Sequence, residues 1–253
     1  MKAIIIAAGL GKRCRPHTYK VPKCLLSING KSILEHQLQS LRVNDVTDVA
    51  LIRGYLAQKI TGRGIRYYDN LDYEHNNVLS SLMTAEQELD SDCIVSYADI
   101  LYTAEVIRAA VRSSADLAVI VDTAWRNRYV GRKLHPLTEA EKVISDGQGR
   151  VLSIGKHLDD TEEVTGEFIG CMRLSQKGCR IIRESFHEVK NQYSPRGFQQ
   201  SKSFEQAYLT DILQEMVDKG VNIDIIPIQK NWIEVDTVED YEYAKAEFKG
   251  YQG

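Results

Sequence analysis

The apolar run Ile4-Ile5-Ile6 passes without a break into Ala7-Ala8-Gly9-Leu10-Gly11-Lys12-Arg13, and this junction constrains the fold more than any other stretch. It predicts a buried strand that ends in a glycine-rich basic loop. Gly9 and Gly11 lack a Cβ, so the backbone is expected to bend through positive φ and bring its N–H groups up to an anion. Arg13, Arg15 and Lys23 add charge around the same spot, the arginines as planar forks and the lysine as a point charge. A polyphosphate is the ligand that suits this combination. Two better-known phosphate cradles do not fit. The loop is not G-x-x-x-x-G-K-[ST], and a G-x-G-x-x-G dinucleotide loop needs a third glycine and a helix that Pro16 and Pro22 would interrupt.

Downstream the pattern alternates. Apolar, β-branched segments at 2–7, 48–53, 65–69, 93–96 and 116–121 predict strands, and helical periodicity falls at 31–42, 78–89 and 103–113. This order predicts an α/β fold with a mostly parallel, doubly wound (Rossmann-like) sheet, whose ligands sit at the carboxyl ends of its strands. After residue 121 a polar, basic, aromatic stretch at 122–137 is followed by β-like segments at 142–145, 150–155 and 167–173, with Asp146-Gly147 marking a hairpin. Helices at 175–188 and 204–219, a strand at 223–227 and a helix at 238–248 complete the prediction, with one flexible loop at 190–203. One domain over 1–253 is expected, interrupted by a β insertion at about 122–173.

With 253 residues, 43% of them apolar, the chain can bury a full core. The formal charge of −3 gives no electrostatic reason for a nucleic-acid or membrane partner. No apolar run approaches the ~18 residues of a spanning helix and no leader pattern precedes the first strand, so a cytoplasmic location is expected. The cysteines Cys14, Cys24, Cys93, Cys171 and Cys179 are odd in number and never in C-x-x-C spacing, which predicts reduced thiols. Cys14 and Cys24 flank the loop, so alkylation there is expected to inhibit without either being catalytic. The histidines, His17 in the loop included, show no metal spacing. No heptad or apolar stripe encodes an oligomeric state, and a homo-oligomer is compatible with the sequence.

Gly9-x-Gly11-x-Arg13 followed by Pro22-Lys23 resembles the signature of the nucleotidylyltransferases, which join a nucleoside triphosphate to a phosphorylated acceptor and release pyrophosphate. The resemblance implies that Arg13 grips the β and γ phosphates, that Lys23 lies by the α-phosphate and the attacking oxyanion, and that Ala8, Gly9, Gly11 and Lys12 line the nucleotide. It identifies 122–173 as the acceptor-side insertion. Asp99, after the strand at 93–96, and Asp236, in Ile233-Glu234-Val235-Asp236-Thr237-Val238-Glu239-Asp240-Tyr241, match the family's metal-binding aspartates and are assigned to Mg²⁺. On residue chemistry alone, either aspartate reads first as a helix N-cap and only second as a ligand.

His75-Asn76-Asn77-Val78-Leu79-Ser80-Ser81 stands ahead of a helix, where Asn77 and Ser80 offer donors and acceptors to a base edge; an Asn N-cap is the alternative. The Asn-x-x-Ser pattern resembles that of the phosphocholine and phosphonate cytidylyltransferases, which implies CTP. For the acceptor, Trp125, Arg126, Arg128 and Arg132 with Lys156 suit a phosphate or phosphonate, although a solvated basic loop would read the same way. Trp125 and Tyr129 also suit a quaternary ammonium. The segment 125–141 and Gly166-Glu167-Phe168-Ile169-Gly170 resemble that cytidylyltransferase branch, with Glu167 or Glu141 available to an acceptor ammonium or hydroxyl. The leading expectation is CMP transfer to an acceptor of the 2-hydroxyethyl- or 2-aminoethylphosphonate type. Phosphocholine and phosphoglutamine are the alternatives, and a catalytically silent nucleotide-binding regulatory module is the alternative of another class.

Overall fold

A computed structural model describes residues 1–249. The strands are β1 (Lys2–Ala7), β2 (Ser27–Ile28), β3 (Lys31–Ser32), β4 (Asp48–Arg53), β5 (Ile65–Asp69), β6 (Cys93–Tyr97), β7 (Ile100–Tyr102) and β8 (Leu117–Asp122). They continue as β9 (Lys142–Ser145), β10 (Val151–Gly155), β11 (Gly166–Leu174), β12 (Asp224–Ile228) and β13 (Trp232–Glu234). The helices are α1 (Ile33–Arg42), α2 (Val78–Met83), α3 (Ala104–Arg112), α4 (Gln176–Tyr193), α5 (Leu209–Asp218) and α6 (Val238–Glu247). Among these described residues no helix is long and apolar enough to cross a membrane.

Every residue of β1 is buried, as a central strand with both faces covered must be. It pairs in parallel with β4 on one side and β6 on the other. Across the sheet the order is β5-β4-β1-β6-β11-β8-β12, and the fold is a mixed α/β one with a mostly parallel central sheet. β11 runs antiparallel to both β6 and β8. The reason lies in the insertion: β8 ends at the carboxyl edge of the sheet, the β9–β10 hairpin is built there, and β11 enters from that edge and runs back. Gly166 and Glu167 of β11 pair with Val143 and Lys142 of β9, which fastens the hairpin to the main sheet.

Because β4 and β6 leave β1 on opposite sides, a crevice opens at the carboxyl ends of β1 and β6, the switch point of a doubly wound sheet. A second, two-stranded sheet reaches into it. β7 pairs antiparallel with β13, with Glu234 opposite Ile100, and the Val235 N–H donates to the Asp99 carbonyl at 2.8 Å. That register sets Asp236 beside Asp99, although 136 intervening positions separate them in the chain.

Three predicted elements end differently from their periodicity. The helix expected over 78–89 is α only through Met83, and Glu86–Glu88 form a 3-10 turn. There Glu88 is drawn into a buried contact with Lys2 (2.9 Å) and Arg66 (2.6 Å), so tertiary ion pairs override local pattern. The helix expected over 204–219 divides at extended Ala207 and Tyr208, where the Asp211 carboxylate accepts from the Tyr208 N–H at 2.8 Å and starts α5. The segment 190–203 is not a free loop: α4 runs on to Tyr193, and Phe198 packs between Tyr193 and Phe204 with 1% of its surface exposed.

Candidate active site

At the switch point lies a cavity of about 310 Å³. Ala8, Gly9, Arg13 and Lys23 line one part of it, Asp99 and Asp236 the middle, and Glu141, Glu167 and Glu234 the part under the insertion. The loop after β1 works through one left-handed residue. Gly11 has φ 58°, and a Cβ there would lie 3.2 Å from both the Lys23 Cβ and the Thr18 Cγ2. Gly9 departs from expectation: its φ is not positive, and a Cβ would meet no atom within 4 Å. Its use is open space beside the cavity, where a backbone can be approached closely, rather than a bend.

Lys23 is the hub of the charges. Its Nζ stands 2.6 Å from Asp99 Oδ2 and 2.9 Å from Asp236 Oδ1, while Arg13 contacts Asp236 Oδ2. Burial alone would lower the pKa of Lys23, but the charges of Asp236 and Asp99 outweigh it and hold the ammonium above its usual range. Burial likewise works to raise Asp236, and Lys23, His135 and Arg13 together keep it well below the usual carboxylate range. The N-cap of α6 is Thr237, in a capping box with Asp240, so the Asp236 side chain remains free to face the cavity. Asp99 Oδ1 is buried with no hydrogen-bond partner. An unpartnered carboxylate oxygen next to a second carboxylate is a donor set that fits a hard divalent cation.

Residues 3–161 match the MobA-like NTP transferase domain, a span that includes the glycine loop and most of the segment 122–173. The chain belongs to that family. This MobA-like nucleotidyltransferase is 28% identical over 253 residues to the CTP:phosphoglutamine cytidylyltransferase of Campylobacter jejuni, covering 96% of this chain and 98% of that one. It is 25% identical over 245 residues to the 2-aminoethylphosphonate cytidylyltransferase of Lancefieldella rimae, covering 94% and 89%. Among solved structures it resembles the CTP:phosphocholine cytidylyltransferase of Streptococcus pneumoniae, with a TM-score of 0.71, 22% identity and coverage of 98% and 99%.

The nucleotidyltransferase brings Arg13, Lys23, Ala8, Gly9, Asn77, Asp99, Asp236, Lys156 and Glu167 together around one cavity. Gly11 and Lys12 stand behind the loop and do not line it. Asn77 caps α2, its Oδ1 accepting from the Val78 N–H at 2.9 Å while its Nδ2 donates to the Gln206 carbonyl at 3.0 Å, so the capping role and a place on the wall coexist. Ser80 points away, toward the Glu205 carbonyl, and Ser81 faces the cavity in its place. Successive helical residues diverge by about 100°, so the Ser80 expected from the sequence stands one position away from the serine that lines the cavity. Asn76 and Ser81 are joined through Asn70, whose Nδ2 lies 2.8 Å from Asn76 Oδ1 and 2.9 Å from Ser81 Oγ.

The basic stretch expected at the acceptor is engaged elsewhere. Arg126 pairs with Asp160 at 2.6 Å, Arg128 stacks 3.8 Å over the Trp232 ring, and Arg132 lies between Asp240 (2.6 Å) and Glu234 (3.0 Å). Trp125 is buried against Ala140 and Val164. Of these residues none lines the cavity. Lys156 does, paired with Glu139 at 3.0 Å and lying 4.9 Å over the Tyr208 ring. What the insertion presents instead is acid. Burial, with Glu234 adding to it, pushes the Glu141 carboxyl up to about 7 and that of Glu167 to about 8. Glu167 Oε2 has no partner, and its other oxygen accepts from the Tyr129 hydroxyl. The sequence singles out Glu141 beside Glu167 but presents Glu234 only within the Asp236 motif, because no spacing announces residues that meet across separate strands.

Two measurable consequences follow from these environments. Between about pH 4.5, where an unfolded glutamate loses its proton, and about pH 8, folded Glu167 keeps one that the unfolded chain has lost. Stability from this group therefore falls as pH rises through that window, and thermal melts of Glu167→Gln should show a shallower decline than the parent over the same pH range. Burial also pushes the Cys14 thiol to about 11 and the Cys24 thiol to about 12, with both side chains buried. Iodoacetamide at pH 8 should label neither in the folded protein and both after urea unfolding, read by mass spectrometry.

Proposed function

We propose that this nucleotidyltransferase transfers CMP from CTP to a small phosphonate or phosphate whose far end carries an ammonium, as in 2-aminoethylphosphonate, with release of pyrophosphate. The observation that carries this reading is the polarity of the cavity. The glycine loop, Arg13 and Lys23 line the cavity together with two buried glutamates, Glu141 and Glu167, the second with an unpartnered oxygen, and half-buried Glu234. Burial without a counter-charge keeps the Glu141 and Glu167 carboxyls protonated, and an ammonium would supply both the charge that ionises them and several N–H donors. Asn76, Asn77 and Ser81 offer the mixed donors and acceptors that a cytosine edge requires. Whole-length likeness to two cytidylyltransferases supports the same choice of nucleotide.

In this reading an acceptor oxyanion attacks the α-phosphorus in line, a new P–O bond forms, and the bond to the pyrophosphate oxygen breaks. The second pKa of a phosphate monoester is ~6, so the nucleophile is largely ionised near neutrality and no strong base is needed. Lys23 and Arg13 neutralise charge on the phosphoryl oxygens, and the backbone at Ala8 and Gly9 fixes the triphosphate against them. Asp99 and Asp236 would hold Mg²⁺, which when bound supplies Lewis-acid neutralisation of the triphosphate. Lys156 and Glu167 orient the acceptor.

A second reading, phosphoglutamine as acceptor, is favoured by the end-to-end likeness to the Campylobacter enzyme; it shares the ammonium and adds a carboxylate that Lys156 can meet. Mg²⁺-dependent pyrophosphate release from CTP, with UTP and ATP as controls, separates the readings when run with 2-aminoethylphosphonate, 2-hydroxyethylphosphonate, phosphocholine and phosphoglutamine. Turnover with 2-aminoethylphosphonate supports the first, and turnover confined to phosphoglutamine supports the second. A preference for the hydroxyl or quaternary compound overturns the ammonium contact. Binding of CTP without turnover of any acceptor would point to a regulatory module.

A further inference from the structure

We propose that Asn70 is a positioning residue for the choice of base: it makes the Ser81 hydroxyl a hydrogen-bond donor toward the cavity, an assignment that rests on cytosine lying against this wall. Asn70 stands at the carboxyl end of β5, where its backbone N–H donates to the Arg53 carbonyl at 2.7 Å and extends the pairing with β4. It is 4% exposed and does not line the cavity, whereas Asn76 and Ser81 do. Asn70 therefore acts on a bound nucleotide through those two side chains and not by contact.

Every bonding position of the Asn70 amide is used. Its Oδ1 accepts from the Asp72 N–H and from Asn76 Nδ2, both at 3.1 Å, and its Nδ2 donates to Asn76 Oδ1 at 2.8 Å and to Ser81 Oγ at 2.9 Å. A side-chain amide has two N–H donors and two lone pairs on oxygen, so nothing is left over. The chain itself decides which end of the amide faces which way. The Asp72 N–H can only donate, so it must meet Oδ1, and the Asn70 N–H groups are then turned on Ser81 and Asn76. The same logic orients Asn76, whose amide is paired head to tail with that of Asn70.

Ser81 is where this orientation acts on the base. Its Oγ accepts from Asn70, and among the described residues it takes part in no other hydrogen bond. A hydroxyl has one proton and two lone pairs. With one lone pair engaged by Asn70, the proton cannot lie on that line, and the open side of the hydroxyl is the cavity that Ser81 borders. Cytosine offers such a donor two adjacent acceptors, O2 and N3, whereas uracil carries a proton on N3. A site built to bond one edge discriminates against the analogue that leaves its buried polar group unpaired. Ser81 is 5% exposed, so an O–H left without an acceptor there is not rescued by bulk water.

The test is calorimetric binding of CTP and of UTP, each with Mg²⁺, to the parent, Asn70→Asp, Ser81→Ala and the double variant, with thermal melts to establish that each is folded. Binding needs no acceptor, so the identity of the acceptor does not enter. A carboxylate at position 70 still accepts from Asp72 and Asn76 but donates nothing, and the Ser81 proton then turns onto it and away from the base. Asn70→Asp is expected to lower the ratio of CTP to UTP affinity about ten-fold, near the upper worth of one neutral hydrogen bond. Any general loss from the added negative charge cancels in that ratio. Ser81→Ala, which adds no charge, should lower the ratio by itself, and in its background Asn70→Asp should change the ratio no further. A folded Asn70→Asp or Ser81→Ala with the parent's ratio overturns the assignment, and so does a fall that is as large without the Ser81 hydroxyl as with it. The parent's own preference decides the cytosine reading separately: tighter binding of UTP removes that reading, while the sign of the Asn70→Asp shift still decides the role of Asn70.

Discussion

Replacement of Lys23 by alanine is expected to lower kcat by about 10²–10³, the usual cost of removing one donor aimed at developing charge, while CTP affinity changes by only a few-fold. The argument rests on where the ammonium stands. It is held between Asp99 and Asp236, at 2.6 and 2.9 Å, at the carboxyl ends of β6 and β13 and across from the glycine loop. A charge positioned by two fixed carboxylates does not need to reorganise when the phosphoryl centre gains negative charge, which is the condition for favouring the transition state over the bound substrate. Arg13 and the loop backbone remain to hold the triphosphate. Steady-state kinetics with pyrophosphate detection, together with calorimetric CTP binding, check the split. A rise in KM at unchanged kcat would assign Lys23 to uniform binding and remove it from the chemistry.

Arg132→Ala is expected to act on stability. Arg132 and Asp240 each have 6% of their side-chain surface exposed, and the guanidinium also reaches Glu234 at 3.0 Å. Removal of one partner from a buried pair leaves an uncompensated charge and costs about 3 kcal/mol or more. For a chain of this size that corresponds to a fall in Tm of about 6–12 °C. Asp240 also completes the capping box of α6, so the damage should extend to that helix. Thermal melts of Arg132→Ala, Asp240→Ala and the double variant measure the coupling, and the double should be less than additive because the charge left unpaired in either single variant is gone. If Arg132 instead bound the acceptor, the acceptor KM would rise with Tm unchanged.

These two residues mark the division between local and tertiary information. The place of Lys23 was legible from spacing: an apolar strand, a glycine loop and a Pro-Lys pair lie within one short stretch, and the chain cannot carry them far apart. The alternation of strands and helices was legible for the same reason, since hydrophobic period is a local property. The Arg126, Arg128 and Arg132 side chains were not, because a basic residue reads identically whether it meets a ligand, a ring or a buried carboxylate. The folding of 122–173 on itself provides Asp160, and its packing against β13 and α6 provides Trp232 and Asp240.

The glutamates of the cavity show the converse. Glu141, Glu167 and Glu234 come from three separate segments, and no spacing in the chain links them. Their meeting depends on β11 running antiparallel and on the pairing of β13 with β7, both of which are long-range backbone hydrogen-bonding choices. The sequence by itself determined the strand that opens into a glycine loop and the α/β class, because each is written in local residue patterns. The tertiary structure alone decided which charges face the cavity, since burial and pairing across the sheet, and not residue type, set whether a side chain is a ligand or a brace.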